Sequence, residues 1–266
     1  MNVQELTVPI RDGEMSYITF GTGPKHFVMI AGMSMGGLTG LGGAVAEAYA
    51  MFAEEYTVTV FDRCTVLPQG ITVLDMAEQT AEAMAALGIR NADVMGASQG
   101  GMIALCLALD HPELVRTRVL SSSSARPNPT SEETFTLWRE LGLAQDVPAV
   151  NRAFFARVCA DAFLAENAAL LASLENSGTP AQCRRFAVLA EACRTFDRFA
   201  ELPKVACPAL VIGVQGDKVL SGEASEDLAA GLHCPIYLYE GYGHAVCDEA
   251  PDYKQRLWDF FHSVPD

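Results

Sequence analysis

Two serines in this chain lie in the pattern Gly-x-Ser-x-Gly: Gly96-Ala97-Ser98-Gln99-Gly100 and Gly32-Met33-Ser34-Met35-Gly36. The pattern serves nucleophilic chemistry only where a strand runs into the serine and a helix leaves it, because the sharp turn between them exposes the hydroxyl. Ser98 has that context. Ala92–Ala97 is strand-like, and Met102–Leu109 is an apolar run that predicts a helix buried on all sides. Ser34 follows a strand-like run too. It is succeeded by Gly36, Gly37 and Gly40, and each glycine costs a helix about 1 kcal/mol relative to alanine. Ser98 is therefore the candidate nucleophile.

A serine hydroxyl needs a general base and a third group to orient that base. The chain has five histidines. His26 opens a strand, His111 and His233 end helices, and His262 ends the last one. His244 sits in Glu240-Gly241-Tyr242-Gly243-His244, a glycine-rich loop leaving a strand, from which an imidazole can reach the serine. The acid should also leave the end of a strand. After Cys207–Val214 comes Gln215-Gly216-Asp217, whereas the stretch after Ser122 offers no carboxylate. Asp217 is the candidate acid. The chain order is then Ser98, Asp217, His244.

The elements that must position these residues alternate between strand and helix. Val3–Ile10 and Met15–Phe20 predict a hairpin, and His26–Ala31 and Tyr56–Phe61 predict strands. A glycine-rich loop over 36–43 leads to a helix expected near Ala44–Ala53. Val73–Leu87 reads as a helix stopped by Gly88, and Val115–Ser122 as a strand. Ser121–Ser124, the only low-complexity run, is too short to be given a role. From Arg126 to Ala200 the alternation stops, and the spacing is helical and rich in aromatics such as Phe135, Trp138, Phe154 and Phe155. Alternation returns at Cys207–Val214, with further elements at Ala224–Leu232, Ile236–Glu240 and Asp252–His262. This predicts an α/β chain with a mainly parallel, doubly wound sheet. Its core spans 1–125 and 201–266, and a helical cap over 126–200 is inserted after the sixth strand. The cap is expected to rise over the carboxyl ends of the strands, where open α/β sheets bind ligands.

Composition narrows the partners. The chain has 266 residues, half of them apolar, and 18 Lys and Arg against 33 Asp and Glu, for a net charge of −15. That charge argues against a nucleic acid or an anionic membrane surface as partner. No CxxC pair occurs among the eight cysteines, and several lie in apolar runs, so free thiols in a reducing compartment are expected. No signal peptide or membrane span is read from the sequence, and the expected location is cytoplasmic.

Taken in order, FVMIAGMSMGG, FDR, ITVLDMAEQTAEAMAALGI, GASQGG, CPALVIGVQGD and EGYGHAVCDEAPDYKQRLWDFF resemble the α/β-hydrolase superfamily over essentially the whole chain. The resemblance implies the α/β-hydrolase fold and an oxyanion hole of two backbone N–H groups, those of Met33 and Gln99. It implies no metal and no organic cofactor. Two departures stand out: Ala31-Gly32 replaces the His-Gly common in the family, and Asp62-Arg63-Cys64 replaces Asp-x-Arg-Gly. Ser34 and Trp138 are candidate substrate contacts, on the oxyanion loop and in the cap. The expected function is a serine hydrolase acting on a small, largely apolar carboxylic ester or related acyl compound. Two alternatives stay open. The same triad could serve C–C bond, lactone or peptide hydrolysis or perhydrolysis, or the fold could bind a ligand without turnover.

Overall fold

The computed structural model describes residues 2–265. Its centre is an eight-stranded sheet: β1 (Gln4–Ile10), β2 (Gly13–Phe20), β3 (Lys25–Ile30), β4 (Tyr56–Cys64), β5 (Ala92–Ala97), β6 (Val115–Ser121), β7 (Ala209–Val214) and β8 (Ile236–Tyr239). The spatial order is β1-β2-β4-β3-β5-β6-β7-β8. The β1–β2 and β2–β4 pairs are antiparallel, and every later pair is parallel. From β3 the chain runs to β4 on one side and then returns to β5 on the other. The carboxyl ends of β3 and β5 thus flank the place where strand order reverses, which opens a crevice.

Period-two alternation builds a core on each face of the sheet. On β3, Val28 and Ile30 join one cluster while Phe27 and Met29 join the other. The first face is covered by α2 (Val73–Ala86) and α3 (Gln99–Asp110), the second by α1 (Gly42–Ala48) and α11 (Tyr253–Ser263). All residues of α3 from Gln99 to Ala108 are buried, in keeping with its all-round apolar sequence. The helix expected near 44–53 is shorter: α1 stops at Ala48, and a 3₁₀ turn covers Ala50–Phe52. Tyr49 leaves helical backbone there and packs its ring against Phe27 and Phe52, so burial of the aromatics overrides helix propensity.

Five helices stand between β6 and β7: α4 (Pro129–Ala144), α5 (Val147–Val158), α6 (Asp161–Glu166), α7 (Ala168–Leu174) and α8 (Pro180–Arg194). Three begin with a local signal, since Asn128, Asp146 and Thr179 each cap a helix with a proline in its first turn. A 3₁₀ helix over Phe199–Lys204 follows, straddling position 200. The chain then continues through β7, α9 (Gly222–Leu232), β8 and α10 (Val246–Glu249) to α11.

The crossing of α3 over the strands is close enough to require glycine. A Cβ on Gly100 would lie 2.0 Å from the carbonyl oxygen of Ile30, and one on Gly96 2.2 Å from that of Gly100. Both obstacles are backbone, so neither can swing aside. Gly100→Ala is expected to push α3 off β3 and cost about 1–3 kcal/mol, to be checked by urea denaturation. A variant as stable as the wild type would show that α3 can move freely.

Candidate active site

Ser98 stands between β5 and α3 with φ 53° and ψ −120°, an unfavourable backbone for a residue with a side chain. The surroundings hold it there. Its N–H donates to Ser121 O at 2.8 Å, and its carbonyl accepts from the Gly101 N–H and the Ser123 hydroxyl, each at 2.9 Å. Ser123 belongs to the Ser121–Ser124 run, all of it buried. Its part in fixing the turn was not readable from composition.

Asp217 follows β7 by three residues and is buried. Its Oδ1 accepts from the Val219 and Leu220 N–H groups at 2.7 and 3.1 Å, and its Oδ2 lies 2.7 Å from His244 Nδ1. Burial pushes this carboxyl up. The adjacent imidazole, by charge and hydrogen bond, and the two amides more than offset that, so Asp217 lies below its ordinary range and stays ionised. An ionised Asp217 requires a proton on Nδ1, which leaves Nε2 as the basic nitrogen. His244 Nε2 is buried and has no hydrogen-bond partner among the described residues.

The histidine loop is fastened to the inserted helices. Glu249 accepts from Gly243 N–H at 2.8 Å and from Ala160 N–H at 3.1 Å, and Ala245 N–H donates to Val158 O at 3.1 Å. A Cβ on Gly243 would stand 2.4 Å from the Ala160 nitrogen, so only glycine lets the loop approach this closely. Nothing local in the sequence singles out Glu249, whose partners come from two distant segments.

Ser98 and His244 line one cavity of about 410 Å³, together with Met33, Ser34, Ala97 and Trp138. Phe154, Phe155, Phe163, Leu170, Leu171 and Leu174 of the inserted helices supply much of its remaining wall. Among the described residues, Asp248 and Glu249 are the only carboxylate residues that line it, and no lysine or arginine does. Burial raises the Asp248 carboxyl above its ordinary range. A second cavity of about 500 Å³ shares Ser34, Phe154, Phe155 and Leu174 with the first.

The Met33 and Gln99 N–H groups make no hydrogen bond to the protein among the described residues. One follows β3 and the other opens α3, on the two sides of the crevice. Ser34 lies beside Met33, but its hydroxyl accepts from Gly37 N–H at 3.0 Å and so closes a turn. Trp138 is almost wholly buried: Nε1 donates to Ala153 O at 3.3 Å and the ring packs among Phe135, Phe154 and Phe186. It belongs first to the core of the inserted helices and only at its edge to the cavity wall. The structure thus brings Ser98, His244, Met33, Ser34 and Trp138 to one cavity, with Asp217 behind His244.

Residues 51–251 match the model of the alpha/beta hydrolase fold, and the chain belongs to that family. A protein of Pseudomonas savastanoi pv. phaseolicola, provisionally named carbamate hydrolase RutD, is 29% identical over 243 residues, covering 85% of this chain and 92% of its own. Among solved structures, an alpha/beta hydrolase enzyme from a Medee basin deep-sea metagenome library superposes with a TM-score of 0.86 at 20% identity, covering 98% of each chain. The enol-lactonase of Burkholderia xenovorans LB400 does so with 0.84 at 18% identity, covering 97% of this chain and all of its own. The solved structures share the fold, and the family match together with the relatives named for hydrolysis supports a hydrolase. No helix of the described residues is long and apolar enough to cross a membrane.

Asp217→Asn is expected to lower kcat by up to about 10⁴-fold, since the amide favours the wrong imidazole tautomer, with KM little changed. The depressed carboxyl also sets a sign for stability. Its contribution is complete above the ordinary carboxylate range and is lost as pH falls through the depressed value. The stability gap between wild type and Asp217→Asn should therefore shrink as pH drops below about 4. Urea titrations at several pH values check this, and a gap independent of pH would contradict it.

Proposed function

We propose that the protein is a serine hydrolase that cleaves a small, mostly apolar carboxylic ester or related acyl compound through an acyl-enzyme on Ser98. The observation that carries this reading is the Asp217–His244 hydrogen bond, which leaves a buried, unpartnered Nε2 beside the cavity that Ser98 lines. In this mechanism His244 Nε2 takes the Ser98 proton as Oγ attacks the carbonyl carbon. The oxyanion accepts from the Met33 and Gln99 N–H groups, donors that cost no reorganisation because nothing else engages them. Collapse expels the alcohol, which leaves with the proton from His244. Water, deprotonated by His244, then attacks the acyl carbon and restores Ser98.

Residues 126–200 act in this reading as a cap. Their apolar side chains over Ser98 exclude water, which strengthens the electrostatics around the oxyanion. Cavity volume and wall chemistry select the substrate. About 410 Å³ with an apolar wall suits a short or medium acyl chain, and a wall with carboxylates but no cation disfavours an anionic one. The similarity to proteins named for carbamate hydrolysis favours a second acyl class, a neutral carbamate, whose carbonyl meets the same serine and amides.

Ser98→Ala should reduce turnover of p-nitrophenyl esters by roughly 10⁶-fold and abolish labelling by a fluorophosphonate. Ser34→Ala should keep both within a few fold. The reverse pattern would move the nucleophile to Ser34 and sink the mechanism. Phe155 lines both cavities, so Phe155→Ala should enlarge the space beside Ser98 and shift the optimum of an ester series toward longer acyl chains. An unchanged chain-length profile would place the substrate elsewhere.

A further inference from the structure

Arg63, at the end of β4, is buried yet forms no ion pair among the described residues. Its Nη2 donates to Ala31 O at 2.6 Å, and its Nε donates to Gln99 Oε1 at 3.0 Å. The third nitrogen, Nη1, is buried without a partner. Burial pushes this guanidinium down to about 10, with nearby Asp62 acting in the opposite direction. A buried cation held by neutral acceptors is a costly arrangement for packing alone.

Its two acceptors are the segments that carry the unspent amides. Ala31 lies two residues before Met33 on the loop leaving β3. Gln99 carries the other amide on its own backbone, and its side chain is held at both ends. Oε1 takes the Arg63 bond, while Nε2 donates to Leu189 O and Cys193 Sγ of α8, each at 3.0 Å. Asp62 extends the brace along the loop: its Oδ2 accepts from Leu38 N–H at 3.1 Å, and Arg185 of α8 lies 3.6 Å from its Oδ1. Ala31 itself carries only a methyl group, so the loop has no polar side chain of its own at that point to brace it.

We propose that Arg63 is the positioning residue of the oxyanion hole: its forked guanidinium fixes the Met33 and Gln99 amides relative to each other, and Gln99 links that spacing to α8. This rests on the reading of Ser98 as nucleophile and of those amides as oxyanion donors. The planar fork matters, because it makes two bonds at a fixed angle, which an ammonium cannot reproduce. Misplacing a catalytic group by about 1 Å costs on the order of 10²-fold in rate.

The test compares Arg63→Met and Arg63→Lys with wild type, using p-nitrophenyl butyrate and an alkyl trifluoromethyl ketone that adds Ser98 Oγ to form an anionic hemiketal. In Arg63→Met, kcat per folded molecule should fall about 10- to 100-fold with KM within a factor of two. The ketone inhibition constant should rise by a similar factor, because only the anionic adduct needs both amides. Arg63→Lys, which keeps the charge and loses the fork, should recover less than half of that loss on a logarithmic scale. A Tm drop with kcat and ketone affinity of the folded fraction unchanged would make Arg63 merely structural and overturn the proposal. Full recovery in Arg63→Lys would overturn the role of the fork. If Arg63→Met does not fold, Gln99→Met, which removes one of the fork's acceptors and the link to α8, must show the same split of kcat from KM. Failure of the ketone to bind the wild type would instead defeat the reading of Ser98 on which the proposal rests.

Discussion

A serine held at φ 53° is strained, and a strain on the order of 1–3 kcal/mol persists only where its surroundings leave no relaxed alternative. The surroundings of Ser98 are the crossing of α3 with β3 and β5, where Gly96 and Gly100 bring backbone against backbone and Gly101 makes room for the Ser123 side chain. Its amide is tied to β6 and its carbonyl to Ser123, so the turn is fixed from both sides. The rest of the architecture follows from this point. β5 must be central and wholly surrounded, α3 must be apolar on every side, and β3 must lie beside β5 so that the loop after it faces the serine. The reversal of strand order between β3 and β5 supplies that neighbour and the crevice together.

Electrostatics at the site are arranged by burial as much as by charge. Asp217 is stripped of water, which by itself would neutralise it. Two amides from its own turn and one imidazole restore the charge, and those three partners fix its orientation. An ionised carboxylate can only accept, so the proton between the two groups stays on Nδ1, which ties His244 to one tautomer. The net charge of −15 does not reach into this arrangement. Beyond a Debye length of about 8 Å exposed carboxylates are screened, whereas the Asp217–His244 pair is shielded from solvent.

Much of this was legible in the sequence because it is local. Strand–helix alternation, the Gly-x-Ser-x-Gly turn with an apolar run behind it, and an Asp and a His each leaving a strand are patterns within a few residues. Their meeting at one cavity follows from parallel strands ending at the same edge. What could not be read is non-local. Glu249 joins residues 160 and 243, Ser123 supports residue 98, and Arg63 reaches residues 31 and 99, none of them at a spacing that marks a motif. The end of α1 at Ala48 was missed for the same reason, since Tyr49 turns out of the helix to pack on Phe27 of β3, on the face of the sheet that α1 covers. Trp138 was expected as a substrate contact; it does line the cavity, but only at its edge, because three phenylalanines surround it.

The inserted helices are fastened to the segments that carry Ser98, Asp217 and His244. Val158 and Ala160 hold the His244 loop, directly or through Glu249. Asn128 and Arg157 bind the Leu220 and Lys218 carbonyls in the turn after Asp217. Leu189 and Cys193 hold Gln99 beside Ser98. Helices joined at three places to the groups beneath them are not an independent lid on a hinge. A change in their sequence that resizes the cavity also transmits strain to the His244 loop, the Asp217 turn and the Ser98 turn, because packed interiors deform little. Cavity size and the alignment of Ser98, Asp217 and His244 are therefore coupled in this fold. Divergence of the inserted helices toward a cavity of another size must preserve the carbonyls of Val158 and Leu189 and the amide of Ala160, which are backbone atoms and survive any side-chain substitution that keeps the helices in place.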